Sequence, residues 1–169
     1  MSEQVLADVP EVLFADGSRA AVELVLSTTA VPDDEVFAAL AFLQDGAGRF
    51  AVVYSPRRAE WASPGGGRER GESARQTVVR EVLEETGLTI DEAALEPCGY
   101  ERFAPITPGR WPSGGGCLQV FRARLDGTAP PLEGGADDVV AARWVTFPEF
   151  EELCGTTFWW PMVAALFGP

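Results

Sequence analysis

Residues 66–88 read GGRERGESARQTVVREVLEETGL, and this stretch decides the fold of the chain. A glycine loop opens it, and three glutamates, Glu81, Glu84 and Glu85, follow within five residues. Their spacings of three and four place all three on one face of a helix. Like charges at these spacings repel, so the arrangement indicates a cation among the carboxylates. Oxygen ligands of this kind suit a hard divalent cation beside a phosphate.

The sequence also predicts where this helix begins and ends. Ser73, followed three residues later by Gln76, has the form of a capping box, so the helix should begin there. Gly87 suits the left-handed position just after the last turn. The residues expected on the opposite, core-facing side are Val79, Val82, Leu83 and Thr86. These features alone leave open a simpler alternative, an amphipathic helix with a solvated acidic face.

The same segment resembles the Nudix box, whose pattern is G-x5-E-x7-R-E-U-x-E-E-x-G-U, with U a bulky aliphatic residue. Every specified position matches between Gly66 and Leu88, and the upstream residues Trp61 and Pro64 also resemble the family. The resemblance implies an α/β fold, a Nudix-type α/β/α sandwich with a mixed sheet. It also implies Mg²⁺-dependent hydrolysis of a nucleoside diphosphate linked to another group.

The resemblance assigns roles to residues within the box. The metal-binding set that it implies is Gly66, Glu81, Glu84 and Glu85, with Mg²⁺ as the metal and Mn²⁺ as an alternative. The three glutamates would also be catalytic, together with Arg80, which would hold the glycine loop in place. Glu72 would orient Arg80 or metal-bound waters. A structural ion pair is the simpler interpretation of Arg80 and predicts nearly the same contact.

The sequence leaves the general base open between a box glutamate and an acid in the later loop. The acids of that loop are Glu133, Asp137 and Asp138. Enzymes that this chain resembles often place an acid a few residues before the following strand, and Asp138 stands six residues before Trp144. We therefore include Asp138 among the catalytic candidates, with a solvated loop carboxylate as the alternative.

Candidate substrate contacts lie outside the box. The arginines that could contact substrate phosphates are Arg57, Arg58, Arg110 and Arg122, and the aromatic candidates for stacking on a base are Trp111, Tyr100 and Phe103. For each, a surface arginine or a packed aromatic is an equally good interpretation. Pro105 stands 17 residues beyond Leu88, where some subfamilies carry a diagnostic proline. This favours ADP-ribose or a nucleotide sugar as the substrate.

Composition excludes several classes of chemistry. The chain has no Lys and no His, so it offers neither a Ser-His-Asp arrangement, nor a Schiff-base lysine, nor a histidine zinc site. Carboxylate chemistry with a hard cation remains. The net charge of −13 argues against a nucleic-acid polymer as partner, because a broad binding groove needs Lys and Arg to neutralise phosphates. A small nucleotide remains compatible with this charge.

The cysteines and the termini indicate location. Cys98, Cys117 and Cys154 are widely spaced and odd in number, so we expect small buried residues and a reducing compartment. The N-terminus lacks the pattern of a signal peptide, and no apolar run is long enough to span a membrane. The sequence therefore predicts a cytoplasmic protein with no membrane partner.

Length and pattern predict one Nudix domain over residues 1–169, with an N-terminal hairpin extension over about residues 1–30. Residues 11–27 read as a hairpin around Asp16-Gly17. The further elements expected are strands at 36–44, 50–54, 95–103, 117–125 and 139–146, a helix from 148 to 154 and a terminal helix. A two-stranded hairpin needs a surface to cover it, so we expect a homodimer.

Two functions from different classes fit these observations. The first is the metal-dependent hydrolase. The second is a catalytically silent Nudix-fold sensor or interaction module that binds a nucleotide. Such a module would be free to lose box glutamates, and this chain retains every one. The sequence therefore favours the enzyme.

Overall fold

A mixed sheet forms the centre of the computed structural model, which describes residues 3–134 and 141–169. The strands are β1 (Gln4–Leu13), β2 (Arg19–Leu26), β3 (Val36–Gln44), β4 (Phe50–Ser55), β5 (Glu60–Ala62), β6 (Gly65–Gly67), β7 (Glu96–Pro105), β8 (Gly116–Arg124) and β9 (Ala141–Val145). The helices are α1 (Ala74–Thr86), α2 (Phe147–Cys154) and α3 (Trp160–Phe167), with short 3-10 turns at Asp33–Glu35 and Glu92–Ala94. None of the helices in these ranges is long and apolar enough to cross a membrane.

The sheet contains both parallel and antiparallel neighbours. The strand order is β1-β2-β7-β8-β3-β4-β5. Strands β3 and β8 run parallel, whereas the other neighbours in this order pair antiparallel. The short strand β6 pairs with β3, and β9 pairs with β4. This mixed sheet confirms the predicted α/β class.

Strand β3 separates two apolar layers, because successive side chains of a strand point to opposite faces. Ala41 belongs to the layer that contains Val82 of α1. The next residue, Phe42, belongs to the layer that contains Phe150 of α2 and Met162 of α3. Helix α1 therefore covers one face of the sheet, and α2 and α3 cover the other. This arrangement is the predicted α/β/α sandwich.

The N-terminal hairpin is part of the main sheet. Gly17 in its turn has a φ of 85°, a conformation that the Asp16-Gly17 signal predicts. Strand β2 pairs along β7, and its side chains Val22 and Leu24 are fully buried in the layer that also contains Met162. We expected a second copy of the protein to cover this hairpin. Strand β7 and the apolar layer that contains Met162 of the same chain cover it instead. The uncovered hairpin is therefore no longer an argument for a homodimer. A homodimer stays a prediction, and light scattering at micromolar concentration tests it.

The three cysteines are free and buried, which confirms their expected role as small core residues. Burial raises the pKa of the Cys98 and Cys154 thiols to about 12. Burial also raises the pKa of Cys117. Thiols in this state stay protonated at neutral pH and are poor nucleophiles. The cysteines therefore add no second chemistry to the chain.

Candidate active site

Helix α1 has the ends that the sequence predicts. The Gln76 amide donates to the Ser73 hydroxyl at 3.1 Å, and the Ser73 amide donates to the Gln76 side chain at 2.9 Å. Asp33 adds a second cap by accepting from the Ala74 amide at 2.8 Å. Gly87 follows the last turn with a left-handed φ of 76°. The capping box fixes where the carboxylate-bearing turns stand relative to the glycine strand.

The buried face of α1 differs from the predicted one. The buried positions include Val78, Val82, Glu85 and Thr86. Leu83, which we expected in the core, is 50% exposed, so that prediction is wrong. One residue turns a helix by about 100°, so Leu83 lies at the border of the face on which Val82 is buried. Glu85 lies at the edge of the buried face and is only 6% exposed.

Arg80 is the centre of a polar network on α1. Its Nε and Nη2 donate to the two carboxylate oxygens of Glu72 at 2.8 and 2.9 Å, and Nη2 also donates to the Gly67 carbonyl at 2.9 Å. Its Nη1 donates to Glu81 at 2.9 Å and to Glu84 at 3.3 Å. The Arg80 hydrogen bonds lower the pKa of Glu72 to about 2. The bidentate pair with Glu72 holds the guanidinium in place, and its hydrogen bond to the Gly67 carbonyl fastens the glycine strand to the helix.

The glycine strand β6 lies against the carboxylates of α1. The Gly65 amide donates to Glu85 Oε1 at 2.8 Å. A Cβ added at Gly66 would stand 2.4 Å from Glu81 Oε1, so the Glu81 carboxylate occupies the space that a side chain would need. At Gly67 a Cβ would meet nothing within 4 Å. Gly66 is therefore required by the position of Glu81, whereas Gly67 is not.

Replacing Gly66 with alanine is expected to lower turnover about tenfold or more with little loss of stability. The added methyl would collide with the flexible end of Glu81, so the carboxylate would move while the backbone stayed in place. Gly67→Ala is the matched control, because it adds the same methyl to open space. Steady-state kinetics and thermal melting of both variants test this. Equal turnover in the two variants would show that the position of Glu81 does not matter.

As placed, the three box glutamates contact different groups, and their convergence on one metal stays a prediction. Within residues 3–134 and 141–169, no group of three Asp, Glu, Cys or His residues is placed to hold a metal ion. The Arg80 guanidinium contacts both Glu81 and Glu84, and Glu85 accepts from the Gly65 amide. The Arg80 guanidinium thus lies between the carboxylates of Glu81 and Glu84.

The donor chemistry at this place nevertheless fits a hard divalent cation. Glu81, Glu84 and Glu85 supply only carboxylate oxygens, which Mg²⁺ and Mn²⁺ prefer. The Glu84 side chain is 39% exposed and contacts Arg80 at 3.3 Å, so rotation about its own bonds can bring it towards Glu81. Glu81, Glu84 and Glu85 are therefore the residues that would hold a metal.

Among the later-loop candidates for the general base, Glu133 lies within the described residues, at the C-terminal end of α1. The Glu133 amide donates to the Thr86 carbonyl at 3.0 Å. Its carboxylate lies close to Gly87, where an added Cβ would stand 3.2 Å from Glu133 Oε2. Asp137 and Asp138 lie outside the described residues. The described part of the later loop therefore returns to the end of the box helix.

A cleft of about 510 Å³ lies beside the glycine strand, at the beginning of β3. Residues that line it include Asp34, Glu35, Phe37, Arg68, Arg110 and Trp111. It brings together two of the predicted substrate contacts, Arg110 and Trp111. Sequence reasoning missed Arg68, although its place directly after the triple glycine was a usable signal. The volume is within the range of about 300–1,000 Å³ that small-molecule sites occupy.

The other candidate contacts lie elsewhere. Arg57 and Arg58 are in the turn between β4 and β5, where Arg58 Nε stands 3.7 Å from a Glu60 oxygen. Tyr100 and Phe103 are 1% and 5% exposed, so they are packed aromatics and cannot stack on a ligand as placed. Arg122 pairs with Glu96 at 3.1 Å. Of the predicted contacts, Arg110 and Trp111 are the two that line the cleft next to Arg68.

A comparison with protein-family models places most of the chain in one family. The model described as NUDIX domain matches residues 35–166, beginning after the N-terminal hairpin. A curated relative, the uncharacterized Nudix hydrolase YvcI of Bacillus subtilis, is 51% identical over 45 residues. That match covers 27% of this chain and 28% of the relative, so it spans well under two thirds of the relative's length.

Solved structures share the fold. The Bacillus subtilis pyrophosphohydrolase BsRppH is 20% identical with a TM-score of 0.55, and the match covers 79% of this chain and 75% of that chain. The E. coli dihydroneopterin triphosphate pyrophosphohydrolase is 21% identical with a TM-score of 0.57, over 76% of this chain and 94% of that chain. At these identities the likeness concerns the fold, and substrate preference has to be argued from the site itself.

Proposed function

Because the chain belongs to the NUDIX domain family, we propose that it is a metal-dependent hydrolase that cleaves a nucleoside diphosphate linked to another group. The observation that carries this proposal is the contact between Gly66 and the carboxylate of Glu81, with Arg80 joining the same carboxylate to the glycine strand. A solvated acidic face would need neither a glycine at this point nor a buried Glu85.

Each box residue would have its own role in this reaction. Glu81, Glu84 and Glu85 would hold Mg²⁺ or Mn²⁺, which when bound neutralises the pyrophosphate and lowers the pKa of a coordinated water. Arg80 keeps the glycine strand and Glu81 in a fixed relation through its donors. Gly66 lets the chain approach substrate and carboxylate closely. For the general base we propose Asp138, with Asp137, Glu133 and a box glutamate as the competing assignments.

The substrate in this proposal is a small nucleotide, with ADP-ribose or another nucleotide sugar as the first choice. A net charge of −13 disfavours a polymer of phosphates. Arg110 offers a donor in the cleft beside the glycine strand, and Trp111 forms part of its wall. Arg57 and Arg58 remain proposed contacts through their place on the β4–β5 turn. The cytoplasmic location likewise remains a prediction.

A screen of nucleoside diphosphate derivatives tests the proposed function. Metal-stripped protein is incubated with each compound and with no metal, Mg²⁺ or Mn²⁺, and phosphate is read after phosphatase coupling. We expect turnover of at least one nucleotide sugar that depends on added metal. Nucleotide binding without turnover would favour the sensor module. Clear turnover of a capped RNA, with none of any small nucleotide, would contradict the substrate class.

A further inference from the structure

The cleft at the beginning of β3 combines both signs of charge in one cavity. Two carboxylates, Asp34 and Glu35, and two guanidiniums, Arg68 and Arg110, line it together with Phe37 and Trp111. The 3-10 turn that carries the acids is joined to α1, because Asp33 accepts from the Ala74 amide at 2.8 Å. The acids are therefore held in place by the same helix that carries the box.

Arg68 connects this cleft to the candidate active site. Its Nε donates to the Val36 carbonyl at 2.7 Å, and its Nη1 donates to the Glu72 carbonyl at 3.0 Å. These two main-chain acceptors fix the plane of the guanidinium. Nη2 donates to none of the residues that the structure describes. Because Arg68 follows Gly67, whose carbonyl accepts from Arg80, a ligand that contacts Arg68 also lies next to the box network.

The loop between β7 and β8 sets the opposite side of the cleft. Trp111 donates from its indole nitrogen to the Thr107 carbonyl at 3.1 Å, and its ring packs on Phe14 and Phe103 with centroids 5.2 and 5.5 Å away. The ring folds back over Gly109, where an added Cβ would stand 2.5 Å from it. Trp111 is thus an anchor that places the neighbouring Arg110 at the cleft.

Because the cleft carries both signs of charge, it favours some ligand groups over others. A further phosphate would meet two carboxylates as well as two guanidiniums, so repulsion would oppose its attraction. A neutral group rich in hydroxyls can use both kinds of side chain, because each hydroxyl donates to a carboxylate and accepts from a guanidinium. Phe37, which is half-buried at the cleft, offers an apolar surface to the carbon face of such a group. The chemistry therefore favours a sugar.

We propose that this cleft binds the sugar of a nucleoside diphosphate sugar. Arg68 and Arg110 donate hydrogen bonds to its oxygens, and Asp34 and Glu35 accept from its hydroxyls. The assignment rests on the proposed function, since it places the pyrophosphate at the box and the sugar beyond Arg68. It adds four specificity-determining residues to the site, of which only Arg110 could be named from the sequence.

Binding of non-hydrolysable analogues tests the assignment without relying on turnover. The affinity of the α,β-methylene analogue of ADP-ribose is compared with that of α,β-methylene ADP by calorimetry in Mg²⁺. We expect the wild type to bind the sugar-bearing analogue at least about tenfold more tightly. Glu35→Gln and Arg110→Met should each reduce this ratio severalfold. Arg124→Met is the control, because Arg124 donates to the Gly46 carbonyl at 3.3 Å at the other end of β3, outside the cleft lining, and it should keep the ratio.

The outcomes separate this assignment from the proposed function. A wild-type ratio near one, or a ratio that neither cleft variant changes, would overturn the sugar assignment even if the protein hydrolyses nucleotides. So would tighter binding of a methylene nucleoside triphosphate analogue that depends on Arg110, since the cleft would then be a phosphate site. A ratio above ten, with no metal-dependent hydrolysis of any nucleoside diphosphate derivative in the screen, would support the cleft and contradict the proposed function.

Discussion

Replacing Glu85 with glutamine is expected to lower metal-dependent turnover by about a hundredfold or more. Glu85 is 6% exposed, and its Oε1 accepts from the Gly65 amide at 2.8 Å. Glutamine keeps an oxygen for this hydrogen bond and keeps the size of the side chain, so the fold should persist. The substitution removes one charge from the proposed metal-binding set. The loss should therefore appear in kcat, with melting temperature little changed.

Two further variants make this expectation specific. Glu84→Gln should also lower turnover strongly, because Glu84 is a proposed ligand of the same metal. Glu69→Gln is the matched control, since Glu69 is 67% exposed, lies 3.7 Å from Arg80 and is outside the proposed set. It should stay within about twofold of the wild type. Near-normal activity of both Glu84→Gln and Glu85→Gln would mean that the carboxylates form only a solvated face.

The Glu101→Gln variant is expected to have a free energy of unfolding up to about 5 kcal/mol higher than that of the wild type at pH 9. At pH 4.5 the unfolding free energies of the two proteins should be close. Glu101 lies on β7 between Leu24 and Leu118 of the neighbouring strands and is 3% exposed. Burial raises the pKa of its carboxyl to about 8. The unfolded chain loses this proton near pH 4.5, whereas the folded chain keeps it. Stability is therefore full below pH 4.5 and falls as the pH rises towards 8.

Urea unfolding of both proteins between pH 4.5 and 9 measures this effect. Other titrating groups are common to the two proteins, so the difference in their unfolding free energies isolates Glu101. Glutamine cannot ionise, and the gap should widen with pH and level off above about pH 8. A difference that stays constant across this range would mean that the carboxyl is hydrated and not buried in its neutral form.

The rules for helix ends and for apolar runs predicted helix α1 and strand β3. The capping box at Ser73 and the left-handed Gly87 both follow from the chemistry of helix ends, and both were found where predicted. Strand β3 was predicted with its observed bounds, because a long apolar run of nine residues has few alternatives. The family resemblance added the expectation that Arg80 holds the glycine segment, which the structure shows as strand β6 and not as a loop.

Features that depend on distant contacts were not predicted. Leu83 lies on the border of the apolar stripe, where a small rotation of the helix decides between core and solvent. Arg68 faces a cleft only because Trp111 folds the later loop back towards β3. Glu101 stands in a strand whose sequence mixes polar and apolar residues. Its burial becomes evident only when α3 and both neighbouring strands are in place.

The uptake of Mn²⁺ tests most directly the claim that the box glutamates hold a metal required for hydrolysis. Free Mn²⁺ is followed by electron paramagnetic resonance while it is titrated into the wild type and into Glu85→Gln, and turnover is measured in the same samples. If the box glutamates hold this metal, Mn²⁺ binding and turnover of the wild type rise together, and both are lost or greatly weakened in the variant. Equal Mn²⁺ binding by the two proteins, or undiminished turnover in EDTA, would contradict it.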